Sequence, residues 1–299
     1  MTGDRAPVFV DCDNTMGLPR QEIDDGLTLL YLLGRSDIEL VGVSATHGNG
    51  TAEQAYEQTT ALFNRLDVDI PIYRREHAAE ALATSSRAHE NLTVLGLGAL
   101  TNLAAAANAD PGFYGRLGSI VVMGGYLRPL RFLRRQVHEL NFASDPAAAY
   151  SVLNAPCAVT VMSAQFCLNA RFGVGDLIAS GGPVWLRRYM KDWFTAFSWS
   201  TGSPGFYLWD LLPAAAVGPH AWEELSGHQP PVHLHSTLED LVHGWLRYTV
   251  VSSDSSTPDP RQSGLIRLPD HRLSRRRFVR HCVSRWNLAA GTKTAGNSI

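Results

Sequence analysis

Short apolar runs alternate along the first half of the chain with segments whose apolar residues recur at helical spacing. This alternation predicts crossover connections and a mainly parallel sheet with helices on both faces. The expected strands are Val8–Val10, Leu40–Ser44, Ile70–Tyr73, Leu92–Leu95, Ser119–Met123 and Val159–Met162. The expected helices are Gly26–Leu33, Ala52–Leu66, Thr101–Ala107 and Pro146–Asn154.

The pattern changes after about Arg171, where the sequence becomes more helical and richer in aromatic residues. Two late strands are expected at Val250–Val251 and Gly264–Leu268, with the Pro/Ser/Asp-rich segment Ser252–Pro260 as a loop between them. The predicted fold class is therefore α/β: an open, mostly parallel twisted sheet flanked by helices, with a more helical C-terminal third. We expect one domain over residues 1–299, in which residues 286–299 form a frayed tail.

Composition narrows the class of protein and its expected location. A chain of 299 residues with 45% hydrophobic content can bury an extensive core, and its formal net charge of −2 gives no long-range attraction to nucleic acid or membrane surfaces. The four cysteines are scattered without metal-ligand spacing, which favours a reducing compartment. The N-terminal sequence does not resemble a signal segment, and no apolar stretch is long enough to span a bilayer. We therefore expect a soluble cytoplasmic protein.

Four aspartates lie between the first apolar run and the first expected helix: Asp11, Asp13, Asp24 and Asp25. Like charges this close are tolerated only if some are protonated or a cation neutralises them. Oxygen ligands without a nearby His or Cys cluster suit a hard ion such as Ca²⁺ or Mg²⁺. The alternative is that the acids cap the next helix, which accounts for one or two of them but not for four.

Seven short motifs occur in the order and approximate spacing of the nucleoside hydrolases. They are Asp11-Cys12-Asp13, Asp24-Asp25, Thr46-His47-Gly48-Asn49, Gly98-Ala99-Leu100-Thr101-Asn102, Val122-Met123-Gly124-Gly125, Glu139-Leu140-Asn141-Phe142 and Trp209-Asp210. Each is weak alone, but the series is specific, and over roughly residues 7–220 the sequence resembles this family of inosine-uridine preferring N-ribohydrolases.

The resemblance implies a Ca²⁺-dependent enzyme that hydrolyses a small-molecule nucleoside to free base and ribose, usually as a homodimer or homotetramer. By position, the ion ligands are Asp13, Asp25, Asp210 and the backbone carbonyl of Leu97. Asp13 is also the expected general base, with Asp11 supporting it from behind. The residues that resemble ribose contacts are Asp24, Asn49, Met123, Glu139 and Asn141.

Two departures from the family pattern concern the loop after Asp13 and the residue before Asp210. The segment Asn14–Ile23 is inserted between the second and third acids, either as a flap over the sugar or as a surface insertion. Trp209 stands where many members carry a His that protonates the leaving base. Trp cannot deliver a proton at neutral pH, although it can stack on a base. His47 or a solvent channel could substitute, or the leaving group needs no acid.

A third departure is an arginine-rich loop between Met123 and Glu139, which contains Arg128, Arg131, Arg134 and Arg135. Arginines recognise phosphate through paired donors, so this loop could hold an anionic substrate, or it could be a solvated surface. Two alternatives to nucleoside hydrolysis therefore remain open. One is a hydrolase of a nucleotide or an unusual glycoside in secondary metabolism, and the other is a catalytically weak nucleoside-binding protein.

Overall fold

A computed structural model describes residues 5–222, 225, 231–251 and 262–291. Its strands are β1 Ala6–Cys12, β2 Ile38–Ala45, β3 Ile72–Tyr73, β4 Thr93–Gly96, β5 Ser119–Met123, β6 Leu130–Arg131, β7 Gln136–Val137, β8 Ala158–Met162, β9 Arg171–Gly173, β10 Gly205–Tyr207, β11 Pro231–Leu234, β12 Tyr248–Val250 and β13 Leu265–Arg267. Its α-helices are α1 Asp24–Leu33, α2 Ala52–Leu66, α3 Arg75–Ala88, α4 Thr101–Ala109, α5 Phe113–Arg116, α6 Pro146–Leu153, α7 Ala164–Cys167, α8 Val174–Ala179, α9 Val184–Thr201, α10 Leu211–Ala215, α11 Leu238–Val242 and α12 Arg275–Gly291. A 3₁₀ turn at Leu168–Ala170 follows α7.

The central sheet has the strand order β12-β11-β13-β8-β5-β4-β1-β2-β3. All neighbours from β13 to β3 are parallel, whereas β11 pairs antiparallel with both β13 and β12. The predicted α/β class with an open, mostly parallel sheet is confirmed. The C-terminal third supplies α10 to α12, and also the three strands that extend the sheet beyond β8.

Strand β1 is buried on both faces, which explains its unbroken apolar sequence. Val8 and Val10 pack into one hydrophobic cluster and Phe9 packs into the other. The first cluster includes residues of α1, α9 and α12, and the second includes residues of α3, α4 and α6. Successive side chains of a strand point to opposite faces, so an apolar residue at every position requires helices on both sides.

The order of the strands reverses beside β1. The chain passes from β1 to β2 on one side, and later returns to place β4 on the other side. Open α/β sheets hold their ligands in the crevice that such a reversal leaves at the carboxyl ends of the strands. Asp13 follows β1 and Leu97 follows β4, so both lie at this crevice.

The C-terminal segment differs from its prediction as a frayed tail. Residues 286–291 continue α12, and Trp286 is fully buried with its ring centroid 5.9 Å from that of Phe172. The side-chain amide of Asn287 donates to the Ser180 carbonyl at 2.6 Å. The prediction is wrong for residues 286–291 because the residues beside Trp286 in the sequence are polar. Such a pattern does not reveal a single buried aromatic residue. Residues 292–299 and the expected loop Ser252–Pro260 lie outside the described residues. No helix of the described chain is long and apolar enough to cross a membrane.

Candidate active site

Four acids from three segments meet at the crevice. Asp13 follows β1, Asp24 and Asp25 form the first turn of α1, and Asp210 precedes α10. One carboxylate oxygen from each of Asp24, Asp25 and Asp210 lies within 4.8 Å of the other two. Asp13 lies beside this group, since its charge adds to burial in raising the pKa values of Asp24 and Asp25. The structure therefore unites the acids that the sequence analysis selected.

The acids are buried and short of hydrogen-bond donors. Asp13, Asp24, Asp25 and Asp210 are each at most 3% exposed. With the acids ionised, Asp13 Oδ1, Asp24 Oδ1 and both Asp25 oxygens have no donor in the described part of the chain. Burial, reinforced by the neighbouring carboxylates, raises the pKa of Asp24 to about 7 and the pKa values of Asp25 and Asp210 well above their usual range. Several unpaired oxygens facing one another suit a hard divalent cation.

Helix capping does not account for these acids. The residue before α1 is Ile23, and within the described structure α1 has no side-chain cap. Asp210 occupies the cap position of α10, yet its side chain makes no capping hydrogen bond among the described residues. Its backbone N–H instead donates to Asp24 Oδ2 at 3.3 Å. The Asp210 carboxylate is therefore available to a ligand.

Asp13 is held in place by tight packing of the loop after β2. Its Oδ2 accepts from the backbone N–H of Asn49. A Cβ added at Gly48 would lie 2.0 Å from Asp13 Oδ2, and one at Gly98 would lie 3.1 Å from Asp13 Cβ. Glycine at both positions lets the backbone approach the carboxylate closely.

Asp11 lies behind this cluster. Its Oδ1 accepts from Ser44 Oγ at 2.5 Å and from Asn102 Nδ2 at 2.8 Å. Asn102 Nδ2 is also 3.1 Å from the Ala45 carbonyl, so the amide ties the ends of β1 and β2 together. Burial raises the pKa of Asp11 to about 7, although both hydrogen bonds oppose the shift. Ser44 and Asn102 were not singled out as site residues, since a polar residue at a strand end or helix start has many other uses.

A cavity of about 600 Å³ opens above the acids. Nine residues selected from the sequence line it: Asp24, Asn49, Leu97, Met123, Arg135, Glu139, Asn141, Trp209 and Asp210. Asp13 and Asp25 are not among its lining residues. The remaining wall includes aromatic residues of α9, namely Trp193, Phe197 and Trp199. The Trp209 ring packs against the Tyr207 ring at a tilt of 36°, with the centroids 5.0 Å apart. The volume falls within the range of about 300–1,000 Å³ that small-molecule sites occupy.

The side chains of Glu139 and Asn141 both form hydrogen bonds with the backbone. The Glu139 carboxylate accepts from the backbone N–H groups of Gly125, Asn141, Phe142 and Ala143 at 2.7–3.1 Å. Asn141 Nδ2 donates to the carbonyls of Leu97 at 2.9 Å and Met123 at 3.1 Å. Glu139 thus fixes the turn that carries Asn141, and Asn141 joins the ends of β4 and β5.

The inserted segment Asn14–Ile23 is part of the site. Asn14 Nδ2 donates to Thr59 Oγ1 of α2 at 3.2 Å, and the Arg20 N–H donates to Asp192 Oδ2 of α9 at 2.8 Å. Arg20, Gln21 and Glu22 line the cavity. The segment is therefore a loop against the cavity wall and not a surface insertion. Sequence analysis did not select Glu22.

The arginine-rich loop contributes one lining residue. Arg135 lines the cavity, whereas Arg128, Arg131 and Arg134 are exposed and are not among its lining residues. Arg134 donates from its guanidinium to the Trp199 carbonyl at 2.5 Å. His47 is half-buried and is not among the lining residues either, so its geometry gives no support to a role as proton source.

The family model described as inosine-uridine preferring nucleoside hydrolase matches residues 74–244, more than half of the chain. The chain belongs to this family. The match starts after the acids of residues 11–25. A plant nucleoside hydrolase, PpNRh1, superposes with a TM-score of 0.78 at 18% identity, over 94% of this chain and 99% of the other.

Two sequence relatives are nucleosidases. The chain is 25% identical to a probable uridine nucleosidase 1 of Oryza sativa, over 65% of this chain and 73% of the relative. It is 23% identical to an inosine-uridine preferring nucleoside hydrolase of Crithidia fasciculata, over 52% of this chain and 59% of the relative. Family and fold together identify the protein as an N-glycosyl hydrolase.

Proposed function

We propose that this protein hydrolyses the N-glycosidic bond of a ribonucleoside, or of a modified nucleoside, to free base and ribose in a Ca²⁺-dependent reaction. The observation that carries the proposal is the group of buried carboxylates with unpaired oxygens at the floor of a nucleoside-sized cavity. The expected setting is a homodimer or homotetramer in the cytoplasm. The oligomeric state rests on the family resemblance and is checked by sedimentation. The location rests on the cysteines and the N-terminal sequence and is checked by fractionation.

The ion would be held by Asp13, Asp25, Asp210 and the Leu97 carbonyl, with Asp24 beside it. Carboxylate and carbonyl oxygens in a flexible arrangement are the ligands that Ca²⁺ accepts. When bound, the cation would neutralise the acids, orient the sugar hydroxyls and increase the acidity of the attacking water. The unpaired Asp25 and Asp24 oxygens support this assignment.

The side chains around the ion have separate roles in sugar binding and in proton transfer. Asp24, Asn49, Glu139 and Asn141 bind sugar hydroxyls, and Met123 contacts the apolar face of the sugar. Asp13 accepts the proton of the attacking water as general base. Cleavage builds positive charge at the anomeric carbon, so the surrounding carboxylates stabilise the transition state more than the neutral substrate.

The leaving base would lie against Trp209 and the aromatic residues of α9. Stacking on an indole is available to purines and pyrimidines alike, so this wall supports binding of a nucleobase without selecting one. A nucleotide is the second candidate substrate. Arg135 favours it, because this residue lines the cavity and none of the described ion pairs includes it.

The decisive experiment measures release of ribose from a panel of nucleosides, and of ribose 5-phosphate from their 5′-monophosphates, with Ca²⁺ and with chelator. Release from at least one nucleoside, lost on chelation and restored by Ca²⁺, is the expected result. Zn²⁺, or no metal, in an active preparation would contradict the Ca²⁺ assignment. Binding without turnover, even of p-nitrophenyl riboside, would favour the nucleoside-binding alternative.

A further inference from the structure

Few residues of the cavity wall could protonate a leaving base. Trp209 cannot do so at neutral pH, and His138 is the one histidine among the described lining residues. The Tyr126 hydroxyl already donates to the Val137 carbonyl, and burial raises the pKa of this phenol further above its usual range. Arginine does not release its protons in proteins, whereas histidine exchanges a proton readily near neutral pH. His138 therefore has the right chemistry for this role.

The backbone on both sides of His138 is anchored. Strands β6 and β7 pair as a small antiparallel hairpin, and His138 directly follows β7. On one side the Val137 carbonyl accepts from Tyr126, and on the other side the Glu139 carboxylate accepts from four backbone N–H groups. Gly244 packs closely against Glu139, since an added Cβ would lie 2.4 Å from Glu139 Cγ. His138 thus has a defined place in the wall.

The position of His138 suits contact with a base rather than with a sugar. Asn141 is buried and donates to the Leu97 carbonyl near the acids, Glu139 is half-buried, and His138 is exposed. His138 therefore lies nearer the mouth of the cavity than these two residues. With the ribose held on the acids, the base of a nucleoside extends toward the mouth.

His138 also lines a second, smaller cavity of about 230 Å³. The wall of this cavity includes Glu139, Tyr126, Trp245 and the exposed His243. Because His138 belongs to both walls, it can contact a substrate in the larger cavity and solvent in the smaller one. A base bound in the larger cavity would therefore not cut the imidazole off from its supply of protons.

We propose that His138 is the catalytic acid that protonates the leaving base. The proposal rests on the proposed nucleoside hydrolysis. The bond between the anomeric carbon and the base nitrogen breaks, its electron pair stays with the base, and the base takes a proton from a ring N–H of His138. The attacking water gives OH to the anomeric carbon and its other proton to Asp13. Asp13 then releases that proton to solvent, and His138 takes one up through the second cavity, so each turnover consumes one water and no net proton.

Other ionisable residues share these walls and must be separated from His138 by experiment. They are Arg20, Glu22, Asp24, Arg135 and Asp210 in the larger cavity, His243 in the smaller one, and Tyr126 and Glu139 in both. Glu22 is the competing proton donor, because burial and the neighbouring acids raise the pKa of its carboxyl well above its usual range.

The test compares a nucleoside with p-nitrophenyl riboside, whose leaving group departs without a proton. General acid catalysis contributes about 10²–10⁴-fold, so kcat for the nucleoside should fall by that factor in His138→Gln and His138→Ala. The kcat for p-nitrophenyl riboside should stay near that of the parent enzyme. The alkaline limb of the pH profile of kcat for the nucleoside should disappear, because that limb reports loss of the acid's proton.

Two further measurements separate proton donation from a structural role. Added imidazole should restore part of the activity of His138→Ala on the nucleoside and leave its activity on p-nitrophenyl riboside unchanged. His77→Gln is the matched control, since His77 is exposed on α3 and outside both cavities. If His138→Ala does not fold, the Gln variant, which keeps a polar side chain of similar size, supplies the comparison of the two substrates.

The outcomes that contradict the proposal are distinct. An equal loss of kcat for both substrates would make His138 a structural residue. His138 variants that match His77→Gln, beside a Glu22→Gln variant that loses kcat on the nucleoside alone, would assign the acid to Glu22. Parent-like activity of all these variants would leave the base to depart without an acid and would defeat the role of His138 alone. A parent enzyme that turns over neither substrate would defeat the proposed function, and the role of His138 with it.

Discussion

The two carboxylate oxygens of Asp13 have different surroundings. Its Oδ2 accepts from the Asn49 N–H, while its Oδ1 is unpaired and faces the acid cluster. Asp13→Asn removes both the proton acceptor and one charge from the ion site. We expect kcat to fall by about 10²–10⁴-fold or more, measured as ribose release at saturating nucleoside and Ca²⁺.

Asp11→Asn is the comparison for Asp13→Asn. Asp11 is as deeply buried, but its described partners are Ser44 and Asn102. An amide can still accept from both, so the loss of kcat should be smaller than for Asp13→Asn. Equal rates for Asp13→Asn and the parent enzyme would reject the general-base assignment.

Individual residues differ in how well the sequence revealed them. The acids were predictable because four like charges beside a buried strand need a physical explanation. Glu22 was not, because one glutamate in an insertion has no pattern. The sequence does not distinguish Arg135 from Arg134. Only the folded hairpin shows that Arg135 lines the cavity and that Arg134 donates to the Trp199 carbonyl.

At the scale of elements, the inserted loop should control the substrate wall. Thr15→Val removes the hydroxyl that holds the Glu22 carbonyl at 2.7 Å. A typical intramolecular hydrogen bond contributes about 0.5–1.5 kcal/mol, so a modest loss of stability should accompany a higher KM for the nucleoside. Thr195→Val is the control, because Thr195 makes a similar bond to the Lys191 carbonyl on an exposed part of α9. Equal KM values for both variants would mean that the loop does not position Glu22.

A second prediction at the scale of elements concerns the arginine-rich loop. Arg135→Gln should raise KM for a 5′-monophosphate about tenfold to a hundredfold more than for its nucleoside, because a charge-assisted contact is lost. Arg188→Gln, an exposed substitution on α9, is the matched control for charge. If both variants leave the ratio of the two KM values unchanged, the substrate is an uncharged nucleoside.

Elements were predictable where one simple pattern governed them. The strands at the centre of the sheet were found because both of their faces are buried, which gives an unbroken apolar run. Helices α3 and α9 were not delimited in advance. Helix α9 turns some of its aromatic residues toward the cavity and leaves Trp199 77% exposed, so its apolar positions do not form a simple helical stripe.

For the whole molecule, burial of the acid cluster links stability to pH. Burial raises the pKa values of Asp11 and Asp24 from 3.8 to about 7. Between these values the unfolded chain has released protons that the metal-free folded chain still holds. The free energy of unfolding of the metal-free protein should therefore fall as pH rises from about 4 to about 7. Each such proton that the folded chain retains lowers it by about 1.4 kcal/mol per pH unit.

Ca²⁺ should reverse this loss, because it binds the ionised acids of the folded chain. Free ion at a hundred times its Kd adds about 2.7 kcal/mol, so the rise in Tm on adding Ca²⁺ should be larger at pH 8 than at pH 5. Asp25→Asn should raise the Tm of the metal-free protein at pH 8, since one buried charge is removed, and should weaken its response to Ca²⁺. Asp69→Asn, at an exposed position, should alter neither quantity. Calorimetric scans with chelator and with Ca²⁺ at both pH values measure these changes in Tm. If Ca²⁺ raises the Tm equally at pH 5 and pH 8, the ion does not bind at the acid cluster.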